Sequence, residues 1–267
     1  MPPPNTIVFI TGAFVTHRCW DNWLPFFEHA GYTCYAPAWP HKQAPAPELR
    51  RQHPHSPIAR NGLAEVLQVY VDFIAALPAP PIVIGHSYGG LLVQLLLQRG
   101  VVAAGVAIES VPPWGVVALN WRLVRTVLPL LGLFTSARTT LLPSFAQFQA
   151  IIANGLPTEE QQATYDQLVA PESKKLLRQA FSPRTRVDFG RPHAPLLFLA
   201  GSDDRLMPPV LNRANFRRYR HAGSRTDYHE LPGRCHALLG QPTWRADAGL
   251  VLAWLKTNAG NQGPAHE

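Results

Sequence analysis

One short segment constrains the fold of this chain more than any other. The apolar residues 80–84 lead directly into Gly85-His86-Ser87-Tyr88-Gly89, and the strongly apolar stretch 91–98 follows. Such an order is typical of a buried strand, a G-x-S-x-G turn and a helix. The turn must be sharp if the Ser87 hydroxyl is to project above a sheet, and glycines are needed where a Cβ would clash between helix and strand. The segment therefore predicts a nucleophilic Ser87 rather than a glycine-rich turn around an unreactive serine.

Strand and helix patterns alternate on both sides of this segment. The predicted strands are residues 6–10, 33–36, 80–84, 102–108, 195–200 and 226–231. The predicted helices are residues 21–30, 57–77, 91–98, 209–219 and 244–256, the second of them with Ser56 as its N-cap. Alternation of apolar strands with helices is typical of a parallel sheet covered on both faces. The predicted fold class is therefore α/β, with a mostly parallel central sheet and helices on both faces.

The alternation stops between about residues 111 and 195, where only helical patterns and loops are found. Helical patterns cover residues 114–131 and 143–154, and two more begin at Thr158 and after Pro171. The run Thr158-Glu-Glu-Gln has the spacing of a capping box at a helix N-terminus. We expect a helical cap of residues 111–195, inserted in a core domain of residues 1–110 and 196–267.

Composition and charge disfavour several classes of protein. Hydrophobic residues make up 46% of the 267 residues and charged residues 15%, so a sizeable core is expected and disorder is not. The net charge of +7 comes from 24 basic and 17 acidic residues, but the arginines are scattered, which disfavours nucleic-acid binding. No apolar run reaches the ~18 residues of a membrane span, and no secretory signal is visible.

The three cysteines give little evidence of special chemistry. Cys19, Cys34 and Cys235 show neither a CxxC pair nor the Cys/His spacing of a zinc site. We expect reduced thiols in a cytoplasmic protein that holds no metal.

At this point the chain resembles the α/β-hydrolase fold superfamily. The resemblance rests on Gly85–Gly89 in its strand–helix context and extends from Ile7 to about Leu255. It implies a serine-nucleophile, esterase- or lipase-like member, with a cap inserted after the sixth strand of that fold's sheet. It also implies a triad in the chain order Ser, acid, His. Haloalkane dehalogenases and epoxide hydrolases of this fold have Asp at the position of Ser87, so those activities are disfavoured.

The resemblance implies that His236 is the base. In this family the base lies in the loop between the last strand and the last helix, and His236 occupies that loop within residues 232–238. The other histidines beyond the acid have less suitable positions, in a polar stretch, in a strand and in the tail: His221, His229 and His266.

The acid has more than one candidate. Residues 201–208 resemble the family's G-x-x-D-x-x-x-P turn, and that register selects Asp204. Asp203 is its neighbour and could instead orient the loop. Glu109 is the main alternative, because some relatives carry their acid after the strand that ends here. Whichever residue acts fixes the tautomer of the histidine and stabilises its charged form.

The oxyanion hole is expected to consist of the backbone N–H groups of Ala13 and Tyr88, with Phe14 as the alternative to Ala13. Relatives usually have His-Gly where this chain has Thr11-Gly12, so Thr11 is a departure from the pattern. The proposed substrate contacts are Phe14, His86 and Trp114.

The cap stretch is rich in aromatic and aliphatic residues, of which most should be core and a minority should line an apolar pocket. The predicted activity is hydrolysis of a carboxylic ester, thioester or lactone of a small hydrophobic substrate, through an acyl-enzyme on Ser87 and without a cofactor. Two alternatives stay open. One is a lyase or cyclase that uses the same triad for proton transfer, and the other is a ligand-binding receptor with little turnover. The sequence does not indicate an oligomeric state.

Overall fold

The structure is a computed structural model that describes residues 4–117, 125, 131–133 and 135–259. Its strands are β1 Thr6–Ile10, β2 Thr33–Tyr35, β3 Ile82–His86, β4 Ala104–Ile108, β5 Thr140–Leu141, β6 Glu172–Ser173, β7 Leu196–Gly201 and β8 Thr226–Leu231. Its α-helices are α1 Trp23–His29, α2 Ala46–Arg51, α3 Leu63–Ala75, α4 Tyr88–Leu97, α5 Phe145–Ile151, α6 Thr158–Leu168, α7 Lys174–Gln179, α8 Pro209–Phe216 and α9 Trp244–Asn258. Short 3₁₀ helices cover His17–Trp20, Pro57–Arg60 and Pro183–Thr185.

A six-stranded sheet in the order β2-β1-β3-β4-β7-β8 forms the centre of the fold, and every pair of neighbours is parallel. Strands β3, β4 and β7 are buried along their whole length, because helices cover both faces. The edge strand β8 carries Asp227, His229 and Glu230, and charged side chains at an edge discourage pairing with another chain. The predicted α/β class with a parallel sheet is confirmed.

Two apolar clusters pack against the two faces of the sheet. Helices α1 and α9 cover one face, where the fully buried rings of Trp20 and Trp23 pack against β1. Helices α3, α4 and α8 cover the other, where Trp39 is fully buried and its indole N–H donates to Tyr70 Oη at 3.1 Å. These three tryptophans of the early loops and α1 are core residues.

The parallel sheet brings the ends of distant strands together. His86 pairs with Ile108 in register, so Ser87 and Glu109, which follow them, lie side by side at the carboxyl edge of the sheet. The loops after β7 and β8 leave from the same edge, because Gly201 pairs with Leu231. Ligand sites of open α/β sheets lie at this edge.

The segment between β4 and β7, residues 111–195, is not purely helical as expected. Strands β5 and β6 form a short antiparallel pair within it, and two-residue strands are too short for an alternating pattern to reveal them. The chain at Trp114 is a turn rather than a helix start, with Gly115 at φ 88°. The rest of the predicted helix 114–131 falls mostly outside the described residues. So do four of the aromatic and aliphatic residues of the predicted cap: Leu119, Trp121, Leu123 and Phe134.

Several helix boundaries differ from the sequence prediction. Helix α4 begins at Tyr88, directly after the serine, rather than at residue 91. Thr158 is the first residue of α6 and not its cap, whereas a complete capping box occurs at Ser144 and Gln147. The predicted helix 57–77 is divided by an extended backbone at Asn61 and Gly62.

In the described part of the chain, no helix is both long enough and apolar enough to cross a bilayer. The thiols of Cys19, Cys34 and Cys235 form no disulfide.

Candidate active site

Ser87 lies on a strained turn between β3 and α4. Its backbone has φ 57° and ψ −116°, a conformation that costs energy for a residue with a Cβ. The two flanking glycines make this turn possible. A Cβ on Gly85 would lie 2.2 Å from the carbonyl oxygen of Gly89, and a Cβ on Gly89 would lie 2.1 Å from that of Ile10. The strain aims the serine side chain out of the sheet edge, as the G-x-S-x-G pattern requires.

The side chains of His236 and Asp204 continue from Ser87 in a line of hydrogen bonds. His236 Nε2 lies 3.0 Å from Ser87 Oγ, and His236 Nδ1 lies 2.8 Å from Asp204 Oδ2. The other carboxylate oxygen, Asp204 Oδ1, accepts the N–H groups of Leu206 and Met207, both at 2.8 Å. The Asp204 carboxylate is therefore fixed in orientation, and with it the imidazole between the carboxylate and the serine.

The two rival acids are placed differently. Glu109 Oε2 is 3.6 Å from His236 Nδ1, beyond hydrogen-bond distance, and 3.1 Å from His86 Nε2. Asp203 is exposed and accepts the Ser202 hydroxyl at 2.8 Å. Of the three candidates, only Asp204 hydrogen-bonds to His236.

Glu109 is a fully buried carboxyl behind the histidine. Burial raises its pKa well above the ordinary value, and the charge of Asp204 raises it further. Its Oε1 has no hydrogen-bond partner among the residues that the structure describes, and its backbone has φ 47°. Burial and the nearby His236 likewise lower the pKa of His86 well below its usual value. His86 Nε2 also lies 3.0 Å from the carbonyl oxygen of His236, so His86 links Glu109 to the loop that carries His236.

The loop after β1 approaches the serine from the opposite side. A Cβ on Gly12 would lie 2.9 Å from Ser87 Cβ, so only glycine allows this contact. Where relatives have His, the Thr11 hydroxyl donates to the carbonyl oxygen of Thr16 at 3.3 Å and stabilises the loop from within.

Among the described residues, the backbone N–H groups of Ala13 and Tyr88 donate to no other group, and both residues border the cavity next to Ser87. The N–H of Tyr88 is free because it lies in the first turn of α4. The alternative donor, Phe14, is engaged, since its N–H points to Glu172 Oε2 at 3.4 Å.

A cavity of about 350 Å³ opens in front of Ser87 and His236. Phe14 and His86 both border it, and the side chain of His86 is almost entirely buried. The walls are mostly apolar side chains of the inserted segment and of the turn after β7: Phe148, Ile152, Leu156, Leu177, Leu206 and Met207.

Trp114 is not part of this cavity, contrary to expectation. Its side chain is 42% exposed, and its backbone N–H donates to Thr185 Oγ1 at 3.1 Å. The polar rim, with Arg18, Asp21 and Glu160, was not predicted from the sequence.

One group of side chains in the described part of the chain has metal-ligand geometry. His86, Glu109 and His236 bring ligand atoms within 4.8 Å of one another. Both ring nitrogens of His236 already face Ser87 and Asp204, so a metal there would have to displace one of these hydrogen bonds. The donor set therefore fits hydrogen bonding better than metal binding.

In this structure, the central strand of a parallel α/β sheet passes into a helix through a strained serine, and a histidine and a carboxylate lie on the neighbouring loops. This combination defines the α/β-hydrolase class. Residues 7–248 match the alpha/beta hydrolase family, and the chain belongs to it. No curated protein is significantly similar in sequence.

Solved structures of this fold resemble the chain over nearly its whole length. A monoacylglycerol lipase from Paleococcus ferrophilus is 22% identical with a TM-score of 0.69, covering 96% of each chain. A methylesterase from Arabidopsis is 13% identical with a TM-score of 0.67, covering 94% of this chain and 99% of the other. Tomato methylketone synthase I is 14% identical with a TM-score of 0.69, covering 96% and 99%. At these identities the likeness establishes the fold, while the activity has to be argued from the site.

Proposed function

We propose that the protein is a serine hydrolase that cleaves a carboxylic ester, thioester or lactone through an acyl-enzyme on Ser87. The observation that carries this proposal is the distance of 3.0 Å between Ser87 Oγ and His236 Nε2 on a turn with φ 57°. A serine hydroxyl is a weak nucleophile until a base takes its proton, and here a base is in contact with it. That imidazole is itself oriented by Asp204, whose Oδ2 lies 2.8 Å from His236 Nδ1.

The geometry supports a two-step reaction. Ser87 Oγ would attack the substrate carbonyl while its proton passes to His236 Nε2, and Asp204 would stabilise the resulting imidazolium. The negative charge on the carbonyl oxygen would be stabilised by the free N–H groups of Ala13 and Tyr88. His236 would then protonate the leaving alcohol, thiol or hydroxyl, and a water activated by the same histidine would release the acid.

The cavity supports a small hydrophobic substrate. Its apolar walls favour an acyl or alkyl group, and the reacting carbonyl would be the polar part that reaches Ser87. The inserted segment would act as a cap, because α5 and α7 contribute Phe148 and Leu177 to the walls of the cavity.

The test is turnover of p-nitrophenyl esters with acyl chains from acetate to decanoate. We expect medium chains to have a higher kcat/KM than acetate, because they bury more apolar surface in the cavity. Ser87→Ala and His236→Ala should each abolish the activity, whereas Ser136→Ala, at an exposed serine of the inserted segment, should leave it unchanged. Equal rates for all chain lengths would contradict the hydrophobic pocket.

Labelling of Ser87 with a fluorophosphonate, combined with these measurements, separates hydrolysis from the other activities considered for this triad. A protein whose Ser87 reacts with a fluorophosphonate but which turns over no ester would be a lyase, cyclase or receptor rather than a hydrolase. Activity that survives Ser87→Ala would contradict every proposal based on an activated serine.

A further inference from the structure

A buried ion pair lies beside the loop that carries Ala13. Lys42 Nζ and Glu172 Oε2 are 2.8 Å apart, and their side chains are 1% and 0% exposed. Lys42 comes from the loop after β2, whereas Glu172 belongs to β6 of the inserted segment. Buried charges are costly unless they are paired and hydrogen-bonded, so a pair in this position calls for a structural explanation.

The pair is connected to both sides of the proposed oxyanion hole. Glu172 Oε2 also accepts the N–H of Phe14, at 3.4 Å, and Phe14 follows Ala13 directly. On the other side, the Lys42 ammonium lies 4.9 Å from the ring centroid of Trp39, and that ring packs edge-on against Tyr88 at 5.7 Å.

Phe14 is held in an uncommon conformation. Its φ is 65°, in the left-handed region that non-glycine residues rarely adopt. Its carbonyl oxygen accepts the N–H of Ala170 at 2.7 Å, and the N–H of Thr16 donates to the carbonyl oxygen of Leu168 at 3.0 Å. Both polar backbone groups of Phe14 are therefore fixed by residues of the inserted segment.

From these contacts we infer that the Lys42–Glu172 pair is a positioning device for the oxyanion hole, in which Glu172 holds Phe14 so that the N–H of Ala13 faces the cavity. This inference rests on the proposed function, since it assigns a role within the same reaction. Glu172 acts through Phe14 and does not touch the substrate.

The charge of Lys42 explains why a carboxylate is tolerated here. An unneutralised carboxylate next to an oxyanion donor would oppose the negative charge that develops in the transition state. Lys42 compensates this charge, while the carboxylate oxygen still accepts from Phe14. An amide oxygen at position 172 could do the same without any charge.

Two double variants separate the hydrogen bond from the ion pair. K42M/E172Q removes both charges and keeps one amide oxygen, for which the Phe14 N–H competes with the Ser173 N–H that Glu172 Oε1 accepts at 2.9 Å. Amide exchange of the Phe14 peptide shows which of the two N–H groups the oxygen accepts. K42M/E172M removes both charges and the acceptor, with unbranched side chains of similar length that favour folding. K42M/E172L replaces the latter variant if it does not fold.

The control is an exposed ion pair with the same distance. Lys175 Nζ and Glu65 Oε1 are also 2.8 Å apart and also join the inserted segment to the core, with side chains 39% and 50% exposed. K175M/E65Q and K175M/E65M should leave kcat unchanged.

We expect K42M/E172M to lose about 10-fold to 100-fold in kcat and in the rate of inactivation by a fluorophosphonate, with KM changed less than threefold. K42M/E172Q should lose less than threefold. Amide exchange of a peptide containing Phe14 should be faster in the Met variant than in the Gln variant. All assays are run well below the lowest Tm.

Equal kcat in both folded double variants, or a loss confined to KM, would overturn the inference. A wild-type protein that the fluorophosphonate does not label would instead contradict the proposed function. In that case the exchange measurement still tests whether Glu172 holds Phe14.

Discussion

Replacing Asp204 with Asn should inactivate the enzyme through the wrong tautomer of His236. The Asn Oδ1 would keep the two 2.8 Å hydrogen bonds from Leu206 and Met207, which forces its NH₂ group towards His236 Nδ1. An NH₂ group can only donate, so Nδ1 must then be unprotonated and the proton must reside on Nε2. That nitrogen faces Ser87 and can no longer accept its proton.

The size of the effect follows from the cost of turning the amide over. The reversed amide would leave the two N–H groups without acceptors, at about 1–3 kcal/mol each. At a total cost of ~2–6 kcal/mol, only about one molecule in 30 to one in 10⁴ would have the amide oxygen towards His236, which is the orientation that permits the reaction. Loss of the negative charge that stabilises the imidazolium lowers the rate further. We therefore expect kcat to fall by about 10³-fold to 10⁴-fold.

The assay is the steady-state hydrolysis of the best p-nitrophenyl ester at neutral pH, with Tm measured by circular dichroism to show that the variant is folded. The matched comparison is Glu109→Gln, which removes the alternative carboxyl. Since Glu109 is 3.6 Å from His236 Nδ1, its Gln variant should keep kcat within about fivefold. The reasoning is refuted if Asp204→Asn keeps more than a tenth of wild-type kcat, or if Glu109→Gln loses more than Asp204→Asn does.

Three further predictions concern stability and the cavity. Because burial raises the pKa of Glu109 in the folded protein, the stability that its protonated form contributes is fully present below the unfolded pKa of 4.5 and is lost as pH rises towards the folded pKa. The Tm of Glu109→Gln should therefore rise relative to the Tm of wild type between pH 4 and pH 8. A Tm difference that stays constant over this range would argue against a raised pKa. Gly89→Ala should cost more than ~3 kcal/mol in urea unfolding, because its Cβ would lie 2.1 Å from the carbonyl oxygen of Ile10. Gly249→Ala should instead gain up to about 1 kcal/mol, because its added Cβ would have no described residue packed against it within 4 Å. If both alanines had the same effect, the close approach would be wrong. Ala163→Trp, at the cavity wall, should lower kcat/KM for decanoate about 10-fold more than for acetate, and equal losses would place the acyl group elsewhere.

The parallel sheet was predictable because its determinants are local. Apolar β-branched runs followed by amphipathic helices occur in strict alternation up to β4, and each run is read from a few neighbouring residues. The strain at Ser87 was predictable for the same reason, since the two glycines and the flanking elements lie within one short segment.

Elements that depend on tertiary partners were not predictable. The N-cap of α3 is Gly62, which has no side chain to cap the helix; instead the N–H of Leu63 donates to Gln179 Oε1 of α7 at 2.7 Å. Gly62 packs closely against the Lys175 side chain, from which a Cβ at this position would lie 2.6 Å. The dipeptide Asn61-Gly62 is itself a turn signal, but the distant residues that contact it could not be identified from the sequence.

The candidate site likewise contains some residues that the sequence identifies and others that only the structure reveals. The family's loop pattern favours His236, and the register of residues 201–208 favours Asp204 over Glu109 and Asp203. The structure places His236 next to Ser87 and Asp204 next to His236. Lys42 and Glu172 are 130 residues apart and resemble ordinary surface charges in the sequence, so nothing predicted that they would meet in the interior.

The most direct test of the account is the site of covalent modification by a fluorophosphonate. We predict a single phosphonyl adduct by intact mass, found by peptide mapping on Ser87 and absent from Ser87→Ala, with an inactivation rate that falls strongly in His236→Ala. An unmodified Ser87 under conditions that label a control serine hydrolase, or an adduct on another residue, would contradict the central claim that Ser87 is an activated nucleophile.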